Sequence, residues 1–311
     1  MAGIETTITS LRSKRFIHLT LSKRRALVGL LFFMPFILGV LIWEVLPGGV
    51  AVWLTFQEWN LISPPKFVGL KNIINLFHDP LLLQSLKVTG VFTLFAVPLQ
   101  LIISLILAML LNIKVKGLSF FRTAYYLPTM VPAVANAILW AWILNTEFGL
   151  LNVGVHAIGL PKIAWLQDPD WALPALILMS LWSLGNPMII FLAGLQGIPE
   201  VLYEAAMIDG AGRWAKFWNV TLPILSPVIF FNVITGFINT FQTFSAGYLI
   251  TQGGPQNATL FLALYQYRVG FLNLKMGYAA AIAWVMLLTT FVLAMVIFFY
   301  LGRRVYYEDI T

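Results

Sequence analysis

Six long apolar runs govern what this chain can become. They fall at residues 26–46, 86–111, 123–145, 172–196, 224–250 and 278–301, and each is long enough for a helix to cross a hydrocarbon core of about 30 Å. Inside lipid every backbone N–H and C=O must find its partner within the protein, which leaves helices or closed barrels as the spanning structures. Runs of this length read as helices, so the expected fold is an all-α integral membrane protein with six transmembrane helices. Composition agrees. The 311 residues are 60% hydrophobic and 10% charged, against about 25% charged residues in a soluble domain. Pro98, Pro132 and Pro187 lie inside runs, where neighbouring helices can re-satisfy the carbonyls that proline frees.

The first run follows a basic segment, residues 1–25, and so invites comparison with a signal peptide. It is too long for a signal's apolar core, and no small-x-small cleavage pattern precedes Pro47-Gly48-Gly49. A retained span is expected. If the N-terminus is cytoplasmic and the spans alternate, thirteen of the nineteen Lys and Arg residues fall on the inside, in the N-terminal segment, near 114–122, at Arg213 and Lys216, and at Arg303 and Arg304. Six fall outside. This asymmetry predicts both termini in the cytoplasm. It also accounts for the net charge of +7 as a set of topology signals, with no nucleic-acid partner. Eleven Trp and ten Tyr suit a chain with many membrane–water boundaries, and membrane lipid is its expected surrounding. With no cysteine, thiol chemistry and disulfides are excluded.

Between the fourth and fifth runs lies a polar stretch with its own grammar. Pro199 and Glu200 suit the first turn of a helix, where a missing N–H costs nothing and a negative charge meets the helix dipole. The residues from Val201 to Asp209 make about two turns, which Gly210 can end. A second short helix is expected from Arg213 to Val220, stopped by Leu222-Pro223. Small Ala205, Ala206, Gly210 and Ala211 would let another protein approach the backbone of this knuckle closely.

Glu204-Ala205-Ala206, three residues, Gly210, nine residues, Val220-Thr221-Leu222-Pro223 closely resembles the EAA loop of bacterial ABC-importer permeases, with Val220 in place of the usual Ile. Phe67-Val68-Gly69-Leu70, Leu127-Pro128, Leu195-Gln196-Gly197-Ile198-Pro199 and Gly253-Gly254-Pro255 are similar to phrases of the maltose-type, carbohydrate-importing subfamily. The likeness runs from about Leu30 to Arg304 and lacks the archetype's extra N-terminal spans and periplasmic insertion. It implies a type I ABC-importer permease fold over 26–304, with a coupling loop at 199–223 and a short cytoplasmic tail at 305–311. It further implies a second homologous permease, two ATPase subunits that bind ATP and Mg, and an extracytoplasmic solute-binding protein. Glu204, Asp209 and Gly210, with Ala205, Ala206, Ala211, Leu222 and Pro223 around them, would form the contact with the ATPase.

No glycine is followed by lysine, so a Walker A phosphate loop is missing and ATP hydrolysis is assigned to the partner. His18, His78 and His156 lack ligand spacing, and acidic residues avoid the spans, so neither a metal site nor an enzyme's carboxylate pair is expected. The substrate path should instead be lined by polar groups within spans. The fifth run is richest: Gly236, Thr240 and Thr243 share i, i+4, i+7 spacing, with Asn239 flanking them. Thr129 and Asn136 in the third run, and Ser180, Trp182 and Asn186 in the fourth, are placed similarly. The other reading of these residues is that they join helices by hydrogen bonds. The resemblance puts sugar contacts on these same three helices. The mid-span regions lack Lys and Arg, which suits a neutral carbohydrate (sugar, oligosaccharide or glycoside) better than glycerol 3-phosphate or another charged polyol derivative. A secondary transporter would require intramembrane ionisable groups or broken helices, and few such groups are visible. Gly277-Tyr278-Ala279-Ala280-Ala281, at the head of the sixth run, predicts close packing. Gly253-Gly254-Pro255 reads equally as a turn or as part of the outer mouth.

Overall fold

The computed structural model describes residues 20–113, 116–303 and 305. Arg12, Lys14, Arg15, His18, Lys114, Arg304 and residues 306–311 lie outside that set, so the basic segment and the tail are left as expectations. The chain divides into two compact units, 1–51 and 52–311. The described part of the first comprises α1 (Leu21–Val40), a π-helical turn (Leu41–Val45) and the start of α2 (Leu46–Thr55). Its apolar side chains are exposed around the whole circumference, Phe32 at 84% and Trp43 at 79%, as suits a helix solvated by lipid.

The second unit opens on a short antiparallel ribbon, β1 (Gln57–Glu58) with β2 (Lys66–Phe67), followed by α3 (Lys71–Leu76). Its longest continuous spans are α4 (Pro80–Leu110), the 29-residue helix 213–241 and α14 (Met276–Gly302). With the first helix, 21–55, that makes four continuous helices long and apolar enough to cross a membrane among the described residues. The remaining two apolar runs are broken. In the third, α5 (Leu118–Tyr126) passes through a 3-10 turn (Leu127–Met130) and then bends by 98° into α6 (Ala133–Ile143). The cause is local: Pro132 has no N–H and pushes Val131 into extended backbone, φ −71°, ψ 126°. In the fourth, α8 (Pro169–Ser180) and α9 (Gly185–Gln196) meet at 46°. Pro187 is not responsible. It sits in the first turn of α9, where its missing N–H would have had no helical partner. Pro98 is carried inside unbroken α4. The six runs therefore correspond to four whole helices and two broken ones.

The expected stop at Leu222-Pro223 is absent. Helix α11 (Arg213–Lys216) continues through a π-helical turn, Phe217–Thr221, into α12 (Leu222–Phe241). The N–H of Leu222 donates to the carbonyl of Phe217, five residues back. That wider turn lets the helix run on through a residue without a donor. At its other end α12 stops at Phe241, earlier than the apolar run, and a further π-helical turn occupies Gly247–Thr251.

Helix α4 packs on α9 and α12, and α12 on α9 and α14. Small residues set the approach. A Cβ on Gly194 would stand 2.7 Å from the Leu225 side chain, and one on Gly236 3.0 Å from the Val97 side chain, so at α9–α12 and α12–α4 these side chains pack directly on glycine backbone. Two buried clusters result. One gathers Phe92, Trp140, Leu176 and Phe261, and the other Met188, Phe191, Leu192 and Leu225.

One end of α4 is clamped. Asp79 caps it, accepting the N–H groups of Leu81 (2.9 Å) and Leu82 (3.3 Å), with Pro80 at the first helical position. Its Oδ2 also accepts the hydroxyls of Tyr265, from α13 (Leu262–Tyr267), and of Tyr278 on α14, the latter at 2.5 Å. Burial pushes this carboxyl up, but the tyrosine and backbone donors outweigh burial and hold it below the ordinary 3.8. Next to it, the backbone of Gly277 lies against β1. A Cβ there would fall 1.7 Å from the Gln57 carbonyl oxygen, and the N–H of Met276 donates to the Trp59 carbonyl at 3.0 Å. The close packing expected of the Gly277 run is thus found, and Ala279, Ala280 and Ala281 behind it are buried.

Candidate functional site: a knuckle and a polar cavity

The polar stretch forms the knuckle in its first half. Helix α10 (Glu200–Ile208) follows Pro199. Its carbonyls are closed off by Gly210 N–H to Met207 (3.0 Å) and Ala211 N–H to Ala206 (2.8 Å). Gly210 takes φ +77°, a left-handed geometry that glycine alone adopts without strain, and no atom lies within 4 Å of where its Cβ would be. None of the α10 side chains is buried. Glu204, Ala205 and Asp209 are exposed beside Val201 at 69% and Ile208 at 87%, while Ala206 and Ala211 are partly covered. Val201 and Ile208 are thus apolar side chains held far out on a turn stiffened by its own hydrogen bonds. Leu222 and Pro223 belong to the continuous helix behind it.

The polar residues of the spans divide into two groups. Asn136 of α6, Ser180 at the end of α8, and Asn239, Thr240 and Thr243 at the end of α12 line one cavity of about 270 Å³. Thr243 lies just past the helix end and reaches the cavity by a turn in which its N–H donates to the Thr240 carbonyl at 3.1 Å. The other candidates lie elsewhere. Gly236 packs on Val97. Thr129 donates to the Tyr126 carbonyl at 2.7 Å and rests against Gly185. Trp182 stands edge-on to Trp140 at 6.2 Å, and Asn186 is exposed.

Two lining residues escaped the sequence reading, Gln100 and Ser183. Gln100 and Ser104, one helical turn apart on α4, donate to the carbonyls of Ser180 (3.0 Å) and Leu184 (3.3 Å). They thereby satisfy the backbone groups that the break between α8 and α9 leaves open. Two polar residues at i, i+4 in the otherwise apolar stretch 94–111 were the available signal. Amides and hydroxyls share the wall with Phe92, Leu176, Met179 and Ala246, and no cation or carboxylate is among the lining residues. Asn136 Oδ1 and Trp140 Nε1 are buried with no partner among the described residues. Of the two, Asn136 is in the cavity wall, and an unpaired buried amide oxygen carries a desolvation cost.

Residues 100–307 match the family model described as the binding-protein-dependent transport system inner membrane component. The chain belongs to that family. This inner-membrane component is 42% identical over 288 residues to the probable ABC transporter permease protein YesP of Bacillus subtilis, covering 91% of this chain and 93% of the relative. It is 39% identical to the lactose transport system permease protein LacF of Rhizobium radiobacter, over 77% of this chain and 82% of the relative. To the sn-glycerol-3-phosphate transport system permease protein UgpA of Pectobacterium atrosepticum it is 33% identical, over 88% and 94%. Its fold matches a bacterial ABC transporter involved in import of the acidic polysaccharide alginate with a TM-score of 0.74 at 23% identity, over 90% of this chain and 96% of that one. The protein is therefore an ABC-importer permease subunit of the inner membrane.

Proposed function

We propose that this permease carries a neutral carbohydrate through the polar cavity, driven by ATPase subunits that dock on the knuckle. The observation that carries the substrate class is the lining: Asn136, Ser180, Asn239, Thr240, Thr243 and Gln100 offer amide and hydroxyl groups with no charge. Neutral hydroxyls pair well with such groups, whereas a phosphate requires cationic partners. At about 270 Å³ the cavity is below the usual 300–1,000 Å³ of a small-molecule site, which fits a half-site completed by a second, homologous permease. Glu204, Asp209 and Gly210 would present the knuckle to an ATPase groove, with ATP and Mg held by that partner. A solute-binding protein would deliver substrate to the opposite face. Counting each bent pair as one span gives six membrane crossings, and the Lys and Arg asymmetry of the sequence supports both termini in the cytoplasm.

Glycerol 3-phosphate is the second reading, favoured by the likeness to UgpA. Co-purification from the native membrane, followed by uptake and ATPase assays with a loaded binding protein, separates the two. Recovery of an ATPase and stimulation by a neutral sugar are expected. Stimulation by glycerol 3-phosphate alone would overturn the carbohydrate assignment. A permease isolated without any ATPase would overturn the docking assignment.

A further inference from the structure

Beside the knuckle, where α4 ends, two hollows adjoin. The first, about 340 Å³, sets Arg213, Lys216, Asn112, Tyr203 and Thr221 among apolar Met109, Leu195 and Phe217. The second, about 290 Å³, is almost wholly apolar, with Ile106, Met109, Trp214 and Phe217. Arg213, Met109 and Phe217 line both, so a basin that carries two cations opens directly onto an apolar groove along the last turns of a membrane-spanning helix. Among the described residues neither cation has an acidic partner within ion-pair distance, and no acidic side chain lines either hollow. The Tyr203 hydroxyl is already bonded to Thr221 Oγ1 at 2.9 Å, which leaves Arg213, Lys216 and the Asn112 amide as the groups free to bind something. Both cations also sit in the first turn of the 29-residue helix 213–241, the end whose dipole disfavours positive charge and favours an anion. Trp214, 74% exposed, and Trp218, 57% exposed, mark the level of the membrane–water boundary.

We infer that this pair of hollows is a binding site for one anionic phospholipid, its phosphate held by Arg213 and Lys216 and one acyl chain laid along Ile106, Met109, Trp214 and Phe217. The charge favours a phosphate, and the apolar groove continuing from it favours a phosphate that carries a chain. The inference stands on the position of the hollows at the membrane boundary, independently of the transported solute. A lipid seated here touches the root of the knuckle through Tyr203, and so would bear on how firmly the docking surface is held.

The test uses the whole transporter in nanodiscs of phosphatidylcholine doped with phosphatidylglycerol. In one series the phosphatidylglycerol is brominated on its acyl chains; in the other, an equal amount of phosphatidylcholine is. Quenching of Trp214 is taken as the difference between the wild type and Trp214→Phe. Brominated phosphatidylglycerol should quench it at several-fold lower content than brominated phosphatidylcholine. Each cation removed in Arg213→Gln and Lys216→Gln should weaken that preference about fivefold, while Arg213→Lys with Lys216→Arg should keep it. Equal quenching by the two lipids would overturn the proposal. So would a preference that survives in the doubly neutralised variant, or the absence of quenching because another subunit fills the groove. Loss of the preference on adding soluble glycerol phosphate would show that the basin takes a free phosphate, and would also refute a lipid site.

Discussion

Substituting Gly210 tests the knuckle without disturbing the rest of the fold. With φ +77° and no atom within 4 Å of a built Cβ, a new side chain meets no neighbour and acts through the backbone alone. An ordinary L-residue in left-handed geometry costs about 1–2 kcal/mol. Asparagine tolerates it better, and a β-branched residue tolerates it worst. Opposing that strain are the hydrogen bonds from Gly210 to Met207 and from Ala211 to Ala206, each worth about 0.5–1.5 kcal/mol net. The two sides are of similar size. Gly210→Asn should therefore keep the turn, Gly210→Ala should lower its population by a factor of roughly 5–30, and Gly210→Val should open it. The assay is solute uptake per ATP hydrolysed by the complete transporter in proteoliposomes, normalised to the permease present. The expected order is Asn above Ala above Val, at similar membrane abundance. Coupling by the Val variant as tight as by Asn would refute the argument that the left-handed turn shapes the contact.

Three further outcomes follow from geometry already described. Gly277→Ala puts a methyl 1.7 Å from the Gln57 carbonyl oxygen and should cost more than the about 1–3 kcal/mol of ordinary overpacking. Its unfolding temperature should drop by several degrees, while Gly90→Ala, which meets nothing within 4 Å, should show no drop. In the cavity, Asn136→Leu removes one amide and should raise the uptake KM roughly 2–10-fold, one hydrogen bond being worth about 0.5–1.5 kcal/mol. Asn186→Leu, outside the cavity, should change it less than twofold, and equal effects would count against this path. Because Asp79 titrates below 3.8, its clamp contributes fully above about pH 4 and fades as pH falls through the native value. The stability gap between wild type and Asp79→Asn should narrow as pH falls below about 4, and a gap independent of pH would show that the carboxylate charge is idle.

Much of this architecture is legible in the residues. Apolar length locates every run, and the spacing from Glu204 through Gly210 locates the knuckle, because both signals are local. The breaks are less visible. Pro132 bends its run by 98° whereas Pro98 leaves α4 whole, and what separates them is whether the preceding residue is forced into extended backbone. Pro223 misleads in the other direction, since a π-helical turn ahead of it absorbs the missing donor. In the cavity, Asn136, Ser180, Asn239, Thr240 and Thr243 converge as a polar set drawn from three runs. Gln100 was overlooked because its partner is a carbonyl exposed only by the break beside Ser180. Periodicity assigned Gly236 to the same face, but the glycine serves the approach to Val97.

The clamp at Asp79 gives α4 two unlike ends. At one, a single carboxylate ties the helix to α13 and α14, and Gly277 presses the head of α14 onto the ribbon. About 46 Å away, at 1.5 Å per residue over the 31 residues of α4, the knuckle hangs from a glycine that touches nothing. If an ATPase pushes on the knuckle, as proposed, a helix held at its far tip would turn the push into rotation. The joints able to yield to it are the corner at Pro132 and the gap between Ser180 and Gly185, and these two interruptions flank the cavity that holds Asn136 and Ser180.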